Sequence, residues 1–391
     1  MSASVSEAAV VGLGLTEMGK VYGRSAADLA GDAILRACAD AGIDRRDVDG
    51  LLTNAGVGGG IGVWLHRELG MRNLRLLSEM QGYGSSAGAM VATAAMAVGA
   101  GSASTVACVF ADTPLSEHRG AGAAYAASGP QIPSGFGALP AAVGLYGANP
   151  YYALAARRHM QTYGTTSEQL GHIAVAARAW AARNPLAQMR EPITLADHQA
   201  SRMIADPLHL LDCCLVSNGA IAVLVTTADR AAHLAQPPVH ILGWAQAHPG
   251  YTLERGSEFG LVSGAAQSGP AALKMAGLGV EDVDVRELYD CYTYTTLISL
   301  EDYGFCAKGE GGALAESGAL APGGSLPTNT GGGQLSGYYM WGMTPLSEAI
   351  IQARGQGGER QVPRHDVVLV SGNGGVLDFH ATLILSAHPR A

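Results

Sequence analysis

Apolar residues along this chain come in short unbroken runs rather than in the alternation of a half-exposed sheet. Such runs stand at Ala8–Gly12, Gly50–Thr53, Thr105–Phe110, Ala220–Thr226, Val239–Trp244, Val367–Gly372 and Ala381–Ser386. Runs of this length, bounded by glycines or charged turns, predict strands covered on both faces. Helical spacing fills the gaps. Ser25 is a suitable N-cap for a helix through Asp40, and Ala271–Ala276 closes a helix ahead of Gly277. Tyr151–Tyr163, Thr166–Arg183 (capped by Thr165 or Thr166) and Thr295–Tyr303 read as further helices, with a strand ending near Tyr289 before the last. The uncharged stretch Ala87–Ala111 is rich in Ala, Gly and Ser, and Gly99-Ala100-Gly101 breaks it. It predicts a buried helix followed by a buried strand, not a membrane span. The fold class is α/β.

Some of these pieces recur. AGIDRRDVDG slides onto AGLGVEDVDV with an offset of 235, which sets Tyr289 opposite Asn54. AVVGLG resembles VHILGW, and TVACVF resembles VVLVSG, in the same order. An internal duplication follows, with halves at 1–235 and 236–391. The first half carries an insertion at about 113–210, opening on the Gly/Ala/Pro-rich RGAGAAYAASGPQIPSGFGALPA. A long irregular segment of this kind is expected to be a lid or a partner surface.

Composition narrows the class. The 391 residues are 48% apolar and 15% charged, with a net charge of −9 and no basic tract, which argues against nucleic acid. The first residues, MSASVSEAAVVGLG, lack the charged leader of a signal peptide. The six cysteines form no Cys-x-x-Cys pair and lie in apolar contexts, as expected of buried thiols in a reducing, cytoplasmic setting. VGLGLTEMG fails the dinucleotide fingerprint because Glu17 stands where the third glycine is needed.

Three segments carry candidate chemistry. QGYGSSAGAM (from Gln81) sets a tight turn at a helix start, a place suited to a nucleophile or an oxyanion; close core packing explains it equally. TNTGGGQLSGYYMWGMTPLSEAI (Thr328–Ile350) joins three glycines to Tyr338, Tyr339 and Trp341, with Pro345 in the first turn of the next helix. RELYDCYTYTTLISLEDYGFCAKGEGG (from Arg286) contains Tyr289, Tyr292, Tyr294 and Tyr303. Six of the fourteen tyrosines thus fall in the window from Tyr289 to Tyr339.

Together these segments resemble the thiolase superfamily, in its sterol-carrier-protein branch. LYDCYTYTTLISLEDYGFC resembles that branch's His-Asp-Cys-Phe segment, DPLHLLDCCLVSNGAIA its Cys-Cys and Ser-Asp-Gly-Ala segment, and VVLVSGNGG its closing strand. The resemblance implies two βαβαβαββ halves in five αβαβα layers, as a dimer. It does not bring thiolase chemistry with it. Gly82 or Tyr83 occupies the nucleophile's place, Tyr289 and the Gly337-Tyr338-Tyr339 stretch occupy the places of two histidines, and Ser371-Gly372-Asn373-Gly374 lacks the shuttle cysteine. The pattern is instead similar to the steroid side-chain-cleaving aldolases, often labelled lipid-transfer proteins, which carry LYD, GGQL and a tyrosine-containing stretch before G-M. Their catalytic tyrosines fall on Tyr289 and Tyr339. Two departures stand out, Gly331 and Trp341, where those relatives carry histidine.

That family implies retro-aldol cleavage of a β-hydroxyacyl-CoA to a ketone and a short acyl-CoA. Such a reaction needs a base, an acid and enolate stabilisation, but no nucleophile. A phenol titrates near ~10 in water and so needs tuning to act as a base. Tyr289 is favoured for the enolate and Tyr339 for the hydroxyl proton, and the reverse assignment stays open. Gly82, Tyr83, Tyr294, Gly331, Gly332, Tyr338 and Gly374 are the expected substrate contacts, with Tyr292 as a further pocket wall and Tyr303 as helix packing. No cofactor or metal is expected in this chain. The family further implies a homodimer working with a small OB-fold protein that bears a zinc-ribbon-like element. The alternative is a non-catalytic scaffold that binds acyl-CoA or sterol.

Overall fold

The computed structural model describes residues 7–120, 135–250 and 256–390. Most of the Gly/Ala/Pro-rich loop that opens the insertion lies outside the described residues, as do the first six residues of the chain.

Nine strands form one mixed sheet: β1 (Ala8–Leu15), β2 (Gly50–Ala55), β3 (Leu76–Glu79), β4 (Thr105–Asp112), β7 (Gly219–Thr227), β8 (Val239–Ala247), β9 (Val285–Glu287), β10 (Val367–Gly374) and β11 (Phe379–Ser386). β5 (Met203–Ala205) and β6 (Leu208–His209) form a small separate hairpin. The large sheet runs β3-β2-β4-β7-β1-β8-β11-β10-β9, and apart from the edge strand β3, which has no counterpart, it is symmetric about the β1–β8 pairing. On each side the first two pairings outward are antiparallel and the next is parallel. β4 is buried at every position, as its unbroken apolar sequence requires of a strand covered on both faces.

Helix Ala26–Ala41 covers one outer face, packing on β1, β7 and β4, and helix Ala265–Ala276 covers the other, packing on β8 and β11. Gly14 on β1 and Gly243 on β8 make the same fit: a Cβ on either would collide with the backbone of the covering helix. Helices Ser86–Gly99 and Met343–Ala353 lie inside, touching strands from both flanks of the sheet, which gives five layers. Helix Ser86–Gly99 is built from small side chains because it is squeezed there; a Cβ on Gly88 would press on Ala381.

The helix starts follow the capping residues. Ser25 closes a capping box with Asp28, and Thr166 closes one with Gln169. The helix expected to close over Ala271–Ala276 does so ahead of Gly277; it starts at Ala265 and contains Pro270. The strand expected to reach Tyr289 stops at Glu287 instead, because the Asn329 side chain, not another strand, takes the Leu288 N–H at 2.7 Å. No described helix is long and apolar enough to cross a membrane.

Candidate active site

Tyr289 and Tyr339 lie fifty residues apart in sequence, yet their hydroxyl oxygens are 3.2 Å apart. Two loops bring them together. The first leaves β9 at Leu288 and enters helix Thr293–Asp302. Its Tyr289 ring lies against Gly84, at the start of helix Ser86–Gly99, and a Cβ on Gly84 would collide with both the ring and the Asn373 carbonyl. Only glycine admits the ring this close.

The second loop is a wide turn over Gly333–Gly337. Asp290, next to Tyr289, accepts the Gln334 N–H at 2.8 Å and the Leu335 N–H at 3.4 Å, so one carboxyl ties the two tyrosine loops together. Gly333 has φ 57°, and a Cβ there would strike that same carboxyl. Burial pushes Asp290 up to about 7, against the lowering effect of its two backbone donors. The Gln334 amide donates to the Trp341 carbonyl at 2.8 Å and closes the loop beyond Tyr339.

The insertion does something its sequence did not announce. Ser217 Oγ accepts the Tyr339 N–H at 3.0 Å and the Gln188 amide at 2.6 Å. Asn184 donates to the Gly331 carbonyl at 2.8 Å, and Arg178 Nε to Ser336 Oγ at 2.9 Å. Backbone bonds run from Gln188 to Gly337, Met189 to Ser336, Leu215 to Gln334 and Cys214 to Cys291. Residues 178–217, the end of the insertion and the seven residues after it, therefore clamp both tyrosine loops. The irregular segment expected as a lid or partner surface lies mostly outside the described residues. Side chains bonding to backbone across a hundred residues leave no periodic signal in sequence.

The remaining expected contacts divide. Gly82, Tyr83 and Gly374 meet at one edge of the site: a Cβ on Gly374 would collide with the Gly82 carbonyl and touch Tyr83. Tyr83, not Gly82, takes the left-handed backbone, at φ 52°. Tyr294 and Tyr338 are buried, and their hydroxyls bond within the core. The Tyr294 hydroxyl donates to the Gly260 carbonyl at 2.8 Å, and the Tyr338 hydroxyl pairs with Ser347 at 2.9 Å. Gly332, at φ 90°, packs on Ala181. Gly331 faces a small cavity behind the site that it shares with Glu287, Glu348, Tyr338 and Thr344. There Arg360 pairs with Glu348, while burial first and Glu348 second push the Glu287 carboxyl well up. Tyr292 stacks on Tyr152 with ring centroids 4.6 Å apart, and Tyr303 joins a buried network with His380 and Thr382.

The site holds no activated thiol or free amine. Burial pushes Cys213 and Cys291 up to about 12, and Cys214 up as well, away from the thiolate form. Lys308 is paired to Asp302 at 2.6 Å and Glu301 at 3.3 Å. Among the described residues no three His, Cys, Asp or Glu side chains gather as a metal site.

Comparison with known proteins places this geometry. Residues 245–387 match the thiolase C-terminal domain-like family model. A steroid side-chain-cleaving aldolase of Thermomonospora curvata is 38% identical, with 96% of this chain and 97% of that protein aligned. The chain belongs to the steroid side-chain-cleaving aldolases of the thiolase superfamily. A 17-hydroxy-3-oxo-4-pregnene-20-carboxyl-CoA lyase of Mycobacterium tuberculosis is also 38% identical, over 94% of this chain and 97% of that one. The solved Ltp2-ChsH2(DUF35) aldolase superposes with a TM-score of 0.87 at 37% identity, covering 98% of this chain and 99% of that one. As a member of this aldolase family the chain is a carbon–carbon lyase and not a thiolase, in keeping with a site that pairs two phenols and has no activated thiol.

Proposed function

We propose that this lyase cleaves a β-hydroxyacyl-CoA, with a steroid side-chain thioester as the substrate, into a ketone and a short acyl-CoA. The observation that carries the reading is the Tyr289–Tyr339 hydroxyl pair at 3.2 Å in a site without a reactive thiol. One tyrosine takes the β-hydroxyl proton as the carbonyl of the departing ketone forms. The Cα–Cβ bond breaks, and its electron pair passes into the thioester enolate. The other tyrosine donates a hydrogen bond to the enolate oxygen, and a proton returns to the α-carbon, so the step consumes nothing but substrate. Tyr339 is assigned the hydroxyl proton and Tyr289 the enolate. Asp290 sets the distance between them through the Gln334 and Leu335 amides.

The chain's two halves, 1–235 and 236–391, are read as a duplication, a reading supported by the symmetric strand order. The assembly proposed is a homodimer working with a small partner of the DUF35 type, supported by the pair named in the related solved structure. The test is incubation of the purified protein, with and without such a partner, with a steroid side-chain β-hydroxyacyl-CoA. Release of ketone and short acyl-CoA supports the reading. Tight binding of the ester without turnover in either mixture defeats it in favour of a carrier.

A further inference from the structure

Two aromatic residues near the site hold left-handed backbone, Tyr83 at φ 52° and Trp341 at φ 46°. Each sits in the turn that launches one of the two inner helices. Such conformations are strained for a large L-residue and persist where the surroundings impose them. Their rings meet, with centroids 5.7 Å apart and planes tilted by 45°. Behind them stand Phe110, 5.1 Å from Trp341, and Phe379, 6.3 Å from Tyr83. Trp341 is 4% exposed, whereas Tyr83 is 49% exposed. Tyr83 thus adds little to the core, yet its ring is backed by two aromatic neighbours, one of them itself packed on Phe110. The next residue, Gly84, is the one on which the Tyr289 ring rests, so this open ring stands at the threshold of the hydroxyl pair.

We propose that Tyr83, backed by Trp341 and Phe379, is the specificity-determining wall of the site, receiving the fused-ring hydrocarbon of the acyl group on its open face. A ring that is strained into place, half-open and supported from behind offers a flat apolar surface without a rearrangement to make it. A fused hydrocarbon buries far more area on such a surface than a short acyl chain does. The inference rests on the lyase reading above and names the part of the substrate that the wall selects.

The test compares two esters, a fused-ring β-hydroxyacyl-CoA and 3-hydroxy-3-methylbutyryl-CoA, for binding by calorimetry and for turnover. In Tyr83→Ala the preference for the fused-ring ester falls about tenfold or more, both in Kd and in kcat/KM. Tyr83→Phe, which keeps the ring and loses the hydroxyl, keeps that preference. Equal losses on both esters, or an unchanged ratio in Tyr83→Ala, overturn the inference. Absence of turnover in the wild type defeats the lyase reading instead, and the binding ratio still decides the role of Tyr83. A thermal midpoint for Tyr83→Ala at or above that of the wild type separates loss of the wall from loss of the fold.

Discussion

The turn ahead of helix Ser86–Gly99 and the turn ahead of helix Met343–Ala353 each carry one aromatic residue with positive φ, yet they contribute different things to the site. The first turn is held by its own neighbours. The Gln81 side chain accepts the Tyr83 N–H at 3.0 Å, and Ser86 Oγ accepts the Gly82 N–H at 2.8 Å. The second has a local bond too, from the Met340 N–H to Thr344 Oγ1 at 2.9 Å, but it is also held by distant groups, Asp290 and Ser217 among them, and carries Tyr339, the proposed base. One turn is a self-supporting wall of backbone and one open ring. The other is an arm, proposed to be reactive, that owes its shape to groups far from it in sequence. The same local backbone thus serves opposite ends according to what lies around it.

The sharpest way to break this division is to remove the hydroxyls. Tyr289→Phe and Tyr339→Phe should each lower turnover by about 100-fold or more, while thermal midpoints stay within a few degrees of the wild type. Full activity in both variants would move the chemistry off the second turn altogether. Next in size is Gly84→Ala, which places a methyl group inside the Tyr289 ring. It should cost about 1–3 kcal/mol in denaturant unfolding and lower turnover, because the first turn supports the second-half tyrosine only through close approach. Gly88→Ala, a few residues on, meets only the Ala381 side chain and serves as the milder comparison.

Behind the second turn, the Glu287 carboxyl is pushed well up by burial and by Glu348. Its folded value lies above its unfolded value of ~4.3, so its stabilising contribution is complete below that and is lost as pH rises toward the folded value. Glu287→Gln removes this loss. The difference in thermal midpoint between about pH 5 and about pH 8 should narrow relative to the wild type. A wider difference would mean that the buried carboxyl is ionised. The smallest effect is expected at Ser217. Ser217→Ala deletes one acceptor of the Tyr339 amide and should cost about 1 kcal/mol, with a several-fold drop in kcat that Ser217→Thr restores. If stability falls while kcat does not, the clamp supports the fold without shaping the arm.

Local features were the most legible in sequence. Ser25 and Thr166 mark their helices because a cap is a local event, and the unbroken runs at β4 and β7 mark strands covered on both faces. The tyrosine pair was legible only through family resemblance, since no spacing rule tells that residues fifty apart will touch. Clustering in sequence carried no sign of where the Tyr294 and Tyr338 hydroxyls go, which is to partners in the core at Gly260 and Ser347. A buried tyrosine needs a partner for its hydroxyl, and the sequence gives no sign of which side that partner lies on. Asn184, Gln188 and Ser217 escaped notice for a related reason: their partners are backbone groups of another half of the chain, and those have no residue identity to read.

The bonds from residues 178–217 to residues 331–339 also govern when the site comes into being. During synthesis the clamp emerges more than a hundred residues before the arm it grips, and β1 must wait for β8 before the sheet joins across its middle. The first half can gather its strands early, but the tyrosine pair is completed among the last contacts made. A ribosome stalled before Tyr339 would hold a chain with much of its fold and only Tyr289 of the proposed catalytic pair.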